Sequence, residues 1–325
     1  MPRSVAFHNR SGTAPASALS GWFACLVRRS APAPHAGPLA PRAISFAALF
    51  VLAALTLILY GRVLQSLAGQ WWSDPNYGHG FLVPFFAAYV LWRGRSRTRA
   101  APLRPSLWGL PLLVAAIALL ILGTLGAEHF TARVSLLLMI SGLVVFLAGW
   151  PVLRAAAFPL GYLAFMIPLP AIVYYQLTFP LQLLASRMGA AGLVALGVPT
   201  VREGNLLVLP NCTLEVVEAC SGVRSLFSLL AAVVGYGYLA EPAMWKRAAL
   251  IAATVPVVIA ANGLRLVSAG LLSFFLGAGA DSAGVHLALG LAFFALAFAS
   301  ILFGHGLLRQ FQGRTLAPRP SACRP

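Results

Sequence analysis

Charge is what this chain has least of. Only 9% of its 325 residues are charged: Asp and Glu together number seven, and Lys246 is the single lysine among 23 basic residues. Apolar residues make up 60% of the chain, and its mean hydropathy is +0.85. A soluble domain of this length cannot bury so much apolar surface, so the bilayer must act as solvent; the same figures exclude disorder for the body of the chain. Cysteine is scarce too. Cys25, Cys212, Cys220 and Cys323 are too few and too scattered for a disulfide framework or a zinc site. No metal or cofactor is expected. The net charge of +16 would suit nucleic acid, but the arginines come in short runs between apolar segments. That pattern sets membrane topology rather than building a phosphate-binding face, and nucleic acid is not expected as a partner. No internal repeat is visible.

What the chain does have is a succession of apolar runs. A span needs about 20 such residues, and candidates fall at about 43–62, 79–93, 107–126, 132–149, 153–168, 221–240, 248–276 and 285–308. The second and fifth are short. The expected fold is an all-α polytopic membrane protein with about eight transmembrane helices. Residues 169–199 are apolar as well, but Pro170, Pro180 and Arg187 interrupt them, which predicts an interfacial or re-entrant pair of helices. Residues 200–219 have strand-like character with turns at Gly204–Asn205 and Pro210–Asn211, reading as a small hairpin outside the cytoplasm. Residues 1–42, rich in Ala, Pro, Arg and Ser, are expected to be a disordered cytoplasmic extension. Residues 43–312 form the membrane domain, with 169–220 its extracytoplasmic segment, and 313–325 a cytoplasmic tail.

The arginines orient this scheme. The run at 93–104, Arg154, the Trp245–Arg247 triplet and the tail fall on alternate loops, which places them in the cytoplasm. Six of the seven acidic residues (Asp74, Glu128, Glu203, Glu215, Glu218 and Asp281) then land outside; Glu241 does not.

Ionisable groups inside a membrane are costly, so each is a candidate for function. Cys220 sits where the hairpin gives way to the sixth span. A helix N-terminus favours thiolate, and the unpaired N–H groups of its first turn face any oxyanion formed there. Gly222 lets a substrate backbone approach, and Ser221 is the rival nucleophile. Cys220 could equally be a small buried hydrophobe or be disulfide-bonded to Cys212. Arg265 lies well inside the seventh span, with Asn262 three residues earlier on the same face to orient it. Its plainer reading is an ion pair with Glu215 or Glu218. His286 opens the eighth span, with Gly290 one turn below, and suits proton transfer near neutral pH; it could also be a polar anchor. Topology puts all three toward the outer leaflet. Nucleophile, cationic stabiliser and acid/base make a complete set for acyl transfer.

The same residues resemble the exosortase/archaeosortase family of membrane transpeptidases. The likeness rests on "EACSGVRS" (218–225), "NGLR" (262–265) and "HLALG" (286–290), in that order, supported by "DPNYGHGFLVPFFAAYVLW" (74–92) and "IPLP" (167–170). It covers about residues 44–308. The resemblance implies Cys220 as nucleophile, Arg265 as transition-state stabiliser and His286 as third catalytic residue. It implies a protein of the bacterial inner (cytoplasmic) membrane whose site faces the periplasm. Its partners would be membrane-anchored secreted proteins carrying a C-terminal PEP-CTERM signal: a Pro-Glu-Pro-type motif, a transmembrane helix and an Arg-rich end. The reaction would pass through a thioester to an unidentified acceptor, in an organism making extracellular polysaccharide. Arg224, Arg202 and Arg187 would then suit the acidic residue of the motif. Glu218, Asp74 and His79 are expected in supporting or substrate-contact roles. Two other readings remain at this level. One is a membrane acyltransferase using a lipid donor; the other is a transporter or polysaccharide-export subunit with Arg265 lining a path near the bilayer midplane.

Overall fold

The structure, a computed structural model, describes residues 46–216, 222–277 and 283–315, with side chains over 47–216, 222–277 and 284–310. The predicted N-terminal extension, Glu218, Cys220, Ser221 and Asp281 lie outside the described residues, as do Cys25 and Cys323.

All eight predicted runs are helical, though not all in one piece. They give α1 (Phe46–Ser73), a 3-10 turn (Gly78–Phe81) leading into α2 (Leu82–Arg93), α4 (Gly109–Leu125) and α5 (His129–Leu147). The fifth run is broken into α6 (Trp150–Ala155), α7 (Ala157–Tyr162) and a 3-10 turn (Leu163–Met166). The last three runs are α9 (Val223–Ala240), α10 (Met244–Leu276) and α11 (Ala283–Thr315). The basic run after α2 is itself a short helix, α3 (Arg95–Ala100).

Among the described residues, five helices (α1, α5, α9, α10 and α11) are long and apolar enough to cross a bilayer. A sixth crossing arises if the bent pair 157–166 and 171–195 counts as one span. The remaining apolar helices, α2 with 12 residues and α4 with 17, fall short of the ~20 residues a straight crossing requires. The count of about eight therefore becomes five to six by length and composition.

The 169–199 stretch departs from expectation in one respect. It forms one continuous helix, α8 (Ala171–Ala195), with Pro180 inside it, not a pair. Proline removes one N–H donor from the ladder, yet the helix runs through Pro180, which stands on its exposed face. The break lies earlier instead, at the bend of 75° between 157–166 and α8.

The strand segment is larger than a hairpin. β1 (Val201–Glu203), β2 (Leu206–Val208) and β3 (Thr213–Glu215) form an antiparallel meander in the order β1-β2-β3. Both sequence-read turns are where expected. Gly204 has φ +65°, the conformation a two-residue loop with glycine first demands; Leu209 N–H reaches the Cys212 carbonyl across Pro210–Asn211 at 2.8 Å. The sheet packs through Leu207 and Leu214 onto Ala185 and Leu193 of α8 and Leu266 of α10. Asn211 Nδ2 ties it to the Phe274 carbonyl near the end of α10 at 2.7 Å.

Small residues set the close helix contacts, as they do where lipid offers no hydrophobic drive. A methyl group added at Gly123 of α4 would stand 2.6 Å from the Ala132 nitrogen of α5. Two apolar cores result: Tyr60, Leu67, Val83, Leu120, Leu136 and Met166 join α1, α2, α4, α5 and the second 3-10 turn, while Leu229, Val233, Leu250, Val258, Ala297 and Ile301 join α9, α10 and α11.

The arginine-bearing loops gather at one end. Arg104 N–H bonds the Ala148 carbonyl at 3.0 Å, Phe158 stacks on Tyr238 at 3.5 Å, and the Arg247 guanidinium covers Tyr238 at 4.9 Å. The opposite end carries the 74–80 loop, the sheet and the start of α9.

Candidate active site

The site is built where α9 begins. Gly222 is the N-cap of α9 with φ +83°, a left-handed conformation that residues with a Cβ adopt only at a cost. It is also pressed against α10: a Cβ there would meet the Asn262 side chain at 3.0 Å. Gly222 is thus seated on the motif that holds Arg265. Asn262 is buried at 6% exposure, so the amide occupies a specific slot rather than a solvated face.

Arg265 lies one turn further along α10 and is half-buried. A methyl added at Gly290 of α11 would stand 3.8 Å from Arg265 Nη1, an ordinary packing distance, so the guanidinium lies beside α11 at this position. Ser225, Leu229, Asn262, Arg265, Gly290 and Phe294 line a cavity of only about 10 Å³ between the three helices, space for at most one water. His286 is exposed in the first turn of α11, four residues before Gly290 and on the same helical face. Helices α9, α10 and α11 therefore bring together Gly222, Asn262, Arg265 and Gly290, which lie on three separate motifs between residues 218 and 290. Glu215, one expected partner of Arg265, is exposed on β3.

A second element closes on the other face of α9. Arg224 Nε donates to Asn76 Oδ1 at 2.8 Å, and Ser228, one turn on, meets His79 Nδ1 at 3.2 Å. The loop that presents them is shaped by Asp74, whose Oδ1 accepts the Asn76 N–H at 2.9 Å in an Asx turn. Gly80 completes it, since a Cβ there would sit 2.3 Å from the Trp71 indole nitrogen, which itself donates to the Met166 carbonyl at 2.9 Å. Burial pushes the His79 imidazole below its ordinary value, against the upward pull of its bond to the Phe165 backbone. Burial thus favours the neutral ring, and His79 Nδ1 and the Ser228 hydroxyl share one hydrogen bond. Tyr77, His79, Phe165, Ile167, Leu169 and Phe227 line a further cavity of about 190 Å³ beside this contact.

Asp74 and His79, expected at the outer face in supporting roles, are so placed next to α9. Asn76 and Ser225 lie inside the 74–92 and 218–225 motifs, where sequence alone assigns them no role, and Ser228 lies outside both. Arg187 is exposed on α8, and Arg202 donates to the Gly204 carbonyl at 2.8 Å, which turns it back on its own hairpin.

The described fold is an all-α polytopic membrane protein with polar motifs gathered at one end of three packed helices. Residues 71–303 match the transmembrane exosortase family (Exosortase_EpsH), and the chain belongs to that family. Membership makes it, in general terms, a membrane sorting transpeptidase that processes exported proteins. No curated protein and no solved structure matches the chain.

Proposed function

We propose that the chain is a cysteine-dependent transpeptidase of the bacterial inner membrane that cleaves PEP-CTERM-type C-terminal signals on the periplasmic side. The observation that carries this reading is the seating of Gly222 on Asn262 together with the approach of Arg265 to Gly290. These two contacts support a site shared by the box containing Cys220, the arginine motif and the first turn of α11, where His286 stands.

The chemistry follows from the residue types. The Cys220 thiolate attacks the scissile carbonyl, and Arg265 and the N–H groups opening α9 stabilise the oxyanion. The C–N bond breaks as His286 protonates the departing amine, leaving a thioester on Cys220. An acceptor nucleophile gives up its proton to His286, attacks the thioester, and returns the thiolate. Arg224 donates from Nε to Asn76, which holds its guanidinium at the start of α9, where it would meet the acidic residue of the signal. The basic end of the substrate helix would lie at the arginine-rich end of the bundle, the orientation shared by both chains under the positive-inside rule.

The test is processing of an exported reporter ending in a Pro-Glu-Pro motif, an apolar helix and an arginine cluster, followed by immunoblot in cells carrying each variant. Cys220→Ala should insert normally and leave the precursor uncleaved. Arg265→Lys should also fail, because a point charge does not replace a planar two-point donor. Cleavage at the wild-type rate by Cys220→Ala rejects the nucleophile.

A further inference from the structure

A second cationic site lies away from α9, α10 and α11, in a crevice between α1 and the α4–α5 turn. Arg62, Ser66 and Gln70 follow one another at four-residue intervals on α1 and share one face. Arg133 of α5 points at that face, donating from Nη1 to Gln70 Oε1 at 2.7 Å and from Nη2 to Ser66 Oγ at 3.2 Å. It is only 3% exposed, and both partners are neutral. Arg62 and His129 are exposed and stand at the opening of the crevice, whose volume is about 160 Å³. Among the described residues no carboxylate lines the crevice; the one that acts on Arg133 is Glu128, whose carboxylate accepts the Phe130 and Thr131 N–H groups as the N-cap of α5. Two guanidiniums therefore stand against one carboxylate, and that carboxylate is committed to a helix end.

Depth makes this arrangement informative. At ~1.5 Å per residue α1 is about 42 Å long, against a hydrocarbon core of about 30 Å. Its last turns therefore emerge at head-group level, with Arg62 about 17 Å along the helix from Ser73. The neighbouring face of α1 is apolar and exposed, including Leu55, Ile58 and Leu59. Arginines held at this depth are costly unless an anion meets them. A phosphate offers the oxygens that a guanidinium binds in pairs.

We propose that this crevice binds the phosphate of an anionic lipid, with Arg62 at its mouth and Arg133 at its base. The acyl chains lie along the exposed apolar face of α1. The site shares no residue with the transpeptidase machinery and does not depend on its assignment.

The purified full chain in detergent, titrated with phosphatidylglycerol or phosphatidylcholine and read by native mass spectrometry, tests this directly. Phosphatidylglycerol should stay bound where phosphatidylcholine does not. Arg62→Gln, an exposed position whose change leaves the packed core intact, should weaken its binding roughly tenfold. Arg62→Lys should weaken it less, and Arg97→Gln at the opposite end should leave it unchanged. Equal retention of the two lipids, or an Arg62→Gln variant that binds like wild type, overturns the site. Displacement of phosphatidylglycerol by equimolar inorganic phosphate overturns the lipid as the source of the phosphate.

Discussion

Gly222 carries two demands at once. Its φ of +83° would cost a residue with a Cβ about 1–2 kcal/mol, and the added atom would also meet Asn262 at 3.0 Å. Gly222→Ala should therefore insert into membranes yet process the reporter several-fold more slowly. In an Asn262→Ala background the same change should cost less, because the steric part is relieved and the backbone part is not. A double-mutant cycle on processing rates separates the two; a Gly222→Ala variant as active as wild type would show that the cap does not position the box. The need for a glycine beside Cys220 was legible in the sequence, since close approach was expected there. Its neighbour was not. Only the packing of α9 on α10 shows that Asn262, read as a partner for Arg265, also forms the wall against which Gly222 rests.

At the scale of elements, the 74–80 loop is held to α9 by Arg224–Asn76 and His79–Ser228. The first contact sits one turn into the helix that Cys220 precedes, and the second one turn beyond. Because burial holds the His79 pKa below its ordinary 6.5, the unfolded chain binds the extra proton first as pH falls. Stability contributed by this neutral, bonded imidazole is complete above about pH 6.5 and is lost as acid forces the ring to charge. The apparent melting midpoint of wild type should fall between pH 7 and pH 5 by more than that of His79→Gln. Parallel curves would mean that the loop is held by other contacts. Sequence pattern found the helices through their apolar length and the two turns of the sheet through Gly and Pro–Asn. It does not show the continuity of α8, because a proline can sit within a helix as well as end one, and it does not show the Arg133 contact, because no local signal links it to Gln70, 63 residues earlier.

Across the whole molecule, the one acidic residue that the topology left among the arginines has a structural explanation. Glu241, at the end of α9, is 3% exposed and is met by His305 Nε2 at 2.8 Å, Lys246 Nζ at 3.5 Å and Arg309 Nε at 3.5 Å. His305 Nδ1 in turn meets Tyr236 of α9 at 2.8 Å. One carboxylate thus pins α9, α10 and α11 at the end opposite the candidate site, and these are the three helices whose other ends must keep Gly222, Arg265 and Gly290 in register. The His305 hydrogen bond, helped by Lys246, holds the Glu241 pKa below the usual 4.5. Its contribution is therefore present above that value and is lost as pH falls below it. Glu241→Gln keeps the shape and removes the charge, which should lower stability at pH 7 by about 2 kcal/mol, the scale of a charge-assisted hydrogen bond. On acidification the wild-type melting midpoint should converge on that of the variant, whose own acid dependence should be shallower. Because Glu241 acts on helix placement, the fraction of variant that stays folded should process the reporter more slowly than wild type. An unchanged midpoint at pH 7 would remove Glu241 as the tie between the helices, and the register of the three motifs would then have to come from the apolar contacts of Leu229, Val258 and Ala297 alone.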